Sequence, residues 1–409
     1  MQGKLDIAIV GAGPAGLASA LYLDRLRHRV TVFERFDVAR PVGSGLMLQP
    51  TGQAVLDDLG LLPEIRSLGR RIDRLDGRDA RTGRVVLDVR YDALKGGQHA
   101  IGVHRAALFN VLHDALMRAG IAVETSATVV DVERADGGGR LVRDDGRRAG
   151  PFDLVVDCSG AGTSLRRRAK FAATPRPMPF GAVWATVPWP PAGFDGAALM
   201  QRYRRASVMI GVLPIGRHHP GGEELAAFFW SLPVESHAAL VGDGFAPWSD
   251  QVAGLWPETE PLLAAIGSFE PLTLARYQHG TMRVAAGEGI AFVGDSAHST
   301  SPQLGQGANM ALLDAKALAI ALETSADIPA ALARYAALRR WHVRLYQALS
   351  LTLTPFYQSE SRALPVLRDL LVAYVAKVPP APQVLAAMVA GNLFGPLKAL
   401  GLRRIGSGG

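Results

Sequence analysis

The chain contains a single cysteine, Cys158, among 409 residues. No intrachain disulfide can form, which fits a reducing compartment and points to the cytoplasm. Long apolar runs are missing too: no stretch reaches the ~18 residues needed to span a bilayer. The most apolar region, 364–402, is interrupted by Arg368, Asp369, Lys377, Pro379 and Pro380. The apolar segment Leu5 to Val10 has strand length and runs into glycine, so it does not read as a signal peptide. The formal charge is +7, yet no run of basic residues interleaves with aromatics. The densest group is Arg166-Arg167-Arg168-Ala169-Lys170, and nucleic acid is not expected as a partner. A basic surface that attracts an anionic substrate or a nicotinamide phosphate is the reading left. No histidine or cysteine pair has metal-ligand spacing with a third ligand, so no metal is expected. No Gly-x-Ser-x-Gly elbow supports hydrolysis.

What is present is enough apolar material, 48% of residues, for a large core and more than one domain. The opening reads as strand, tight turn, helix and strand: Asp6 to Val10, a glycine turn, Gly16 to Leu26, then Val30 to Phe33 ending at Glu34. Helices are expected at 52–61 and 105–119, the latter stopped by Gly120. Alternation from Arg74 to Val89 suggests strands with turns at Asp76-Gly77 and Thr82-Gly83. The stretch from Val123 to Val132, with the turn Asp136-Gly137-Gly138-Gly139, reads as a hairpin, and Leu154-Val155-Val156 as a buried strand. From Phe180 to Ala275 aromatics and prolines rise and β-like segments replace helices, as in a mainly antiparallel sheet. Gly289 to Val293 and a long helix from Gly307 to Leu322 return to the opening texture. Residues from Leu332 onward are mostly helical. The expected architecture is α/β. A discontinuous Rossmann-like domain (1–73, 100–179, 276–345) surrounds an inserted, mainly antiparallel β-sheet domain (74–99, 180–275), and 346–409 form a C-terminal helical region.

Two glycine-bearing segments carry chemistry. In Gly11-Ala12-Gly13-Pro14-Ala15-Gly16, Gly11 permits the turn after the strand, Gly13 lets backbone approach a pyrophosphate, and Gly16 allows close helix–sheet packing. Glu34 ends the second strand, where an acid accepts ribose hydroxyls and repels a phosphate on that ribose. The nucleotide is therefore an adenosine diphosphate, as in FAD or NAD. The second segment is Gly294-Asp295-Ser296-Ala297-His298, then Pro302 and Gly305-Gln306-Gly307 before the apolar Ala308 to Leu322 helix. Its free amides are placed to hold something negative.

With Arg40-Pro41-Val42-Gly43-Ser44-Gly45 and His104-Arg105-Ala106-Ala107-Leu108, these segments resemble the class A flavoprotein monooxygenases, the para-hydroxybenzoate hydroxylase-like family. The resemblance runs from residue 7 to about residue 320. It implies FAD bound through Gly11, Gly13, Pro14, Ala15, Gly16, Glu34, Arg35, Arg40, Gly45, Arg105 and Gly294. Asp295 would bond the ribityl chain, and Val129 would touch adenine through its backbone. Gly305, Gln306 and Gly307, with Ala308 and Asn309 behind them, would meet the flavin pyrimidine edge. Pro302 would line the oxygen-reaction face, the catalytic position the resemblance offers. The implied reaction uses NADH or NADPH and O₂, through a C4a-hydroperoxyflavin, to hydroxylate or epoxidise an apolar aromatic or polycyclic molecule. A monomer or homodimer is expected.

One departure stands out: Ser159 replaces the aspartate of the family's middle Asp-Gly motif, and Asp157 lies two positions earlier. Trp184 to Pro190 reads Trp-Ala-Thr-Val-Pro-Trp-Pro, unlike the halogenase signature. His298 reads as a structural hydrogen-bonding group, His218-His219 as an exposed turn and Cys158 as a packed residue. Substrate contacts are expected from the middle sheet: Trp184, Tyr203, Met209, Leu213, Phe228 and Trp230. Two alternatives remain at this level, an FAD-linked reductase or dehydrogenase of the same fold and a non-catalytic flavin-binding redox protein.

Overall fold

In the computed structural model, residues 3–38, 43–171, 174–374, 376 and 378–406 are described. The opening βαβ unit forms as read. Strand Asp6–Val10 pairs in parallel with Arg29–Phe33 across the helix Pro14–Arg25. Pro14 starts the helix where its missing N–H costs nothing. These strands are central in a six-stranded sheet, with Leu154–Asp157, Ile290–Phe292 and the short Ala286–Gly287 on one side and Ala122–Glu124 on the other. All neighbours are parallel except the last hairpin, Ala286–Gly287 with Ile290–Phe292.

A parallel sheet must be covered on both faces. Residues such as Ile7, Ile9, Leu154 and Val156 face a helical layer built from Pro14–Arg25, Arg105–Arg118 and Gly307–Thr324. Ala8, Val10, Phe33 and Val155 face Val129 and Leu141 of a three-stranded meander, Val129–Ala135, Gly138–Arg143 and Arg148–Phe152. The hairpin read from Val123 to Val132 is therefore two elements. Ala122–Glu124 joins the main sheet, and Val129–Ala135 pairs with the strand after the Gly137 turn. The chain breaks between them at Ser126, whose positive φ of 50° turns the backbone in a way that alternation alone does not signal.

The second sheet has seven strands in the order Thr273–Ala275, Phe180–Pro188, Leu225–Pro233, Val208–Gly216, Ala198–Arg204, Arg74–Asp79 and Val85–Arg90. The segment read near residue 75 thus pairs with strands more than a hundred residues later, in parallel with Ala198–Arg204. Asp76-Gly77 is not a turn. It lies within a strand, where Gly77 makes room for the Tyr203 ring; a Cβ there would sit 2.7 Å from it. Thr82-Gly83 does turn.

The expectation that helices vanish between 180 and 275 needs correcting. His237–Asp243, Phe245–Leu255 and Glu260–Ile266 are helices. Their apolar residues Trp248, Val252, Leu262, Leu263 and Ile266 recur at helical spacing and pack under Val183, Phe228 and Trp230. Pro261 sits in a first turn, where proline starts a helix rather than breaking it. Position 346 lies inside one continuous helix, Ile328–Tyr357, so no break in secondary structure marks the division read there. Ala363–Tyr374, Ala381–Val389 and Pro396–Ala399 complete the helical C-terminal region. No helix among the described residues is long and apolar enough to cross a membrane.

Candidate functional site

The two glycine segments meet at the carboxyl ends of the central strands, where open α/β sheets bind ligands. A Cβ on Gly11, whose φ is +101°, would lie 2.7 Å from the Cys158 carbonyl, and one on Gly294 would lie 3.4 Å from Ala15 Cβ. The first turn, the 157–159 strand end and the 294–298 helix are thus in mutual contact. Gly13 borders open space, with nothing within 4 Å of its Cβ position, whereas a Cβ on Gly16 would lie 1.9 Å from the Gly11 carbonyl oxygen. This is the pattern a pyrophosphate requires: open where it would lie, tight where helix meets strand. Glu34 is buried at the end of its strand and accepts the Ala12 N–H at 2.7 Å. Arg35 is exposed and lies over Phe36. Arg40 falls outside the described residues. The Val129 carbonyl accepts the Ser164 hydroxyl at 3.2 Å.

Asp295 begins its short helix with the side chain open to solvent, although protein surrounds it, as on the floor of a cleft. Burial raises its pKa, and His298 and Arg105 oppose that rise. Arg105 is exposed and lies over Gly43. Pro302 is also exposed. Gly305 is left-handed (φ +61°) and precedes the helix Gly307–Thr324, whose first turn has no side-chain cap. Asn309 anchors this loop from behind: its amide donates to the Met47 and Gly305 carbonyls, and its oxygen accepts the Gln49 N–H. Gly45 packs so closely on the seven-stranded sheet that a Cβ would meet Ile215 at 2.4 Å.

The sheet face toward Met47 carries Tyr203, Met209, Leu213, Phe229 and half-buried Trp184. The Trp184 indole donates to the Tyr277 hydroxyl at 3.1 Å. Phe228 and Trp230, expected with them, lie on the opposite face, edge-on to Trp248 at 6.1 and 6.0 Å. The two-residue period of a strand separates them and gives their places to Ala227 and Phe229.

Ser159 has a visible role. Its N–H and hydroxyl, with the Thr163 hydroxyl, bond the buried Asp157 carboxylate at 2.9, 2.6 and 2.5 Å. Burial still raises that carboxyl's pKa. Arg167 and Arg168 pair with Asp131. Burial pushes the Cys158 thiol well up, as for a packed residue.

Sequence reading missed Asp314. It is buried, accepts the Gly294 N–H at 2.9 Å, and pairs with His298 (2.5 Å) and Arg339 (2.6 Å). Burial alone would push its carboxyl up; His298 and Arg339 overcome this and hold it well below the usual range. The available signal was an acid inside the apolar 308–322 stretch. His298 is structural, as read.

Also missed was a clasp on the C-terminal segment. Four successive carbonyls at the end of Ala381–Val389 accept side-chain donors from around the site. Tyr346 donates to Met388 at 2.8 Å, Gln306 to Val389 at 2.5 Å, Thr51 to Ala390 at 3.4 Å and His342 Nε2 to Gly391 at 3.0 Å. His342 is neutral here: burial first, then Arg339, lower its pKa from 6.5 to about 3. Its contribution is complete above pH 6.5 and is lost as pH falls from there toward 3. At pH 5 the loss is about 2 kcal/mol. Denaturant titrations of wild type and His342→Phe between pH 5 and 7.5 should show a shallower pH slope in the variant.

A family model described as "FAD binding domain" matches residues 4–346. The chain is 29% identical over 373 residues to the 3-amino-4-hydroxybenzoate 2-monooxygenase of Streptomyces cremeus, covering 88% of this chain and 86% of that one. It is 26% identical over 346 residues to the 2-heptyl-3-hydroxy-4(1H)-quinolone synthase of Mycobacteroides abscessus, covering 80% and 84%. Among solved structures, Klebsiella pneumoniae HpxO complexed with FAD and uric acid superposes with a TM-score of 0.80 at 21% identity, covering 96% of this chain and 98% of that one.

Proposed function

Because this chain belongs to the FAD-binding-domain family, the class A flavoprotein monooxygenases, it is an FAD-dependent monooxygenase, and we propose that it inserts one oxygen atom of O₂ into a flat, apolar aromatic or polycyclic molecule at the expense of NADH or NADPH. The observation that carries this reading is the convergence of three features on one cleft. They are the open Gly13 turn, the cleft-floor Asp295 and the uncapped Gly305–Gly307 edge, with the apolar sheet face across from it.

FAD, once reduced, supplies the activated oxygen; the remaining work is the protein's. Gly11, Gly13 and Gly16 shape the turn for the pyrophosphate, and Glu34 accepts ribose hydroxyls. Asp295 holds the ribityl chain, and Arg105 meets the phosphates. The amides of Gly305 to Gly307 stabilise negative charge at the pyrimidine edge, and exposed Pro302 lines the reacting side. Met47, Leu213, Phe229 and Trp184 line a dry face against which the substrate lies, excluding bulk water. The printed names of the relatives above each contain a ring compound, which supports a ring-bearing substrate.

The test is oxygen uptake by the FAD-loaded protein with NADH or NADPH and a panel of phenols and quinolones. Uptake matched by oxygenated product is expected. Rapid flavin reduction with a transformed organic product but no uptake would instead identify a reductase.

A further inference from the structure

Gln49 is fully buried, and its side-chain nitrogen has no hydrogen-bond partner. Such a donor is costly to leave unpaired. It lies 3.6 Å from the position a Cβ on Gly305 would occupy, with Met47 Cε beside it at 3.4 Å. The unpaired N–H groups therefore lie sealed behind the 305–307 loop, which the proposed function places at the flavin, at the margin of the apolar face carrying Met47, Leu213 and Phe229.

The orientation of this amide is decided by its neighbour. Tyr91 is also fully buried, and its hydroxyl donates to Gln49 Oε1 at 2.5 Å. Burial raises the Tyr91 pKa, so the hydroxyl keeps its proton. That proton needs an acceptor, and turning the amide over would offer it an NH₂ group instead. Tyr91 thus fixes the oxygen inward and the nitrogen toward Gly305. The main chain is held as well, by the bond from Gln49 N–H to Asn309 Oδ1 at 2.8 Å. The result is a rigid two-hydrogen donor without a recipient in the protein.

We propose that Gln49 is a specificity-determining residue, its amide donating to an acceptor oxygen, a ring carbonyl or phenolate, on the bound organic substrate, with Tyr91 as its positioning residue. This deepens the monooxygenase reading and rests on it. A ring with such an oxygen satisfies the buried donor, and the same ring without it strands the donor, so discrimination is large relative to the size of the change.

The experiment measures binding to the FAD-loaded protein without NAD(P)H, by perturbation of the flavin absorbance. The paired probes are 4(1H)-quinolone with quinoline and 2-naphthol with naphthalene. Wild type should bind the oxygen-bearing member of at least one pair roughly ten- to a hundredfold more tightly. Gln49→Met alone removes the donor at similar side-chain length and should erase that preference. Gln49→Met with Tyr91→Phe removes both partners in near-isosteric form, which spares the fold, and should also erase it while leaving the oxygen-free probe unaffected. The proposal is overturned if wild type shows no preference in either pair or if both variants retain it. It is overturned too if the variants shift the unliganded flavin spectrum and weaken all probes equally, for then the amide serves a flavin carbonyl. Intact preference without oxygenated product in turnover would leave Gln49 in place and remove the monooxygenase reading instead.

Discussion

Asp314→Ala should destabilise the protein by about 3–5 kcal/mol, the range for removing one partner of a buried ion pair. The size follows from what is left behind. Arg339 is 3% exposed and would lose its carboxylate partner, and His298, equally buried, would lose its acceptor. The Gly294 amide would be stranded as well, and Gly294 sets the start of the helix that carries Asp295. Urea titration of the apoprotein measures the stability loss, and FAD retention through gel filtration measures the second effect. Asp314→Asn keeps the shape and one acceptor but removes the charge, and should fall between wild type and alanine. A loss under about 1 kcal/mol for alanine would mean that the buried triad contributes little.

The second large effect separates two glycines three residues apart. Gly16→Ala places a methyl 1.9 Å from a backbone oxygen that cannot move aside without opening the first turn. Both apoprotein stability and FAD binding should collapse, giving colourless protein. Gly13→Ala meets nothing within 4 Å, and Gly13 has φ −71°, which alanine adopts freely. Its apoprotein should unfold at the same denaturant concentration as wild type. FAD affinity should still fall, by roughly a hundredfold or more, because the methyl occupies space reserved for the pyrophosphate. Apoprotein melting paired with FAD titration checks both. Equal FAD affinity in Gly13→Ala and wild type would show that the phosphates lie elsewhere.

The chain disclosed its first thirty-four residues well because every level agrees there: a buried strand, a glycine turn, a helix that proline can start, and an acid at the next strand end. The 294–307 segment was legible for the same reason. Local geometry demands particular residue types at fixed spacing. What stayed hidden depends on partners far away in sequence. Asp76-Gly77 looks like a turn until Tyr203 needs the room above Gly77. Proline and aromatic content obscures the 237–266 helices, since it reads equally as a mark of strands, whereas their register shows in the spacing of Trp248, Val252, Leu263 and Ile266. Residue type alone places Phe228 and Trp230 at the site, but strand parity decides which face a side chain meets. Gln49 was invisible as a functional residue, since its significance lies in an unpaired nitrogen that only three-dimensional packing reveals.

The clasp on residues 388–391 has a consequence for how the protein is made. The glycine turn at 11–16 packs on residues 157–159 and on Gly294, so it is complete only once those have been made, and Gln306 finds its carbonyl partner later still, after Val389 is made. In the order of synthesis the glycine turn can thus assemble before the 305–307 loop is secured. Shortened forms ending ahead of Met388 would leave the Gln306 amide without its carbonyl partner.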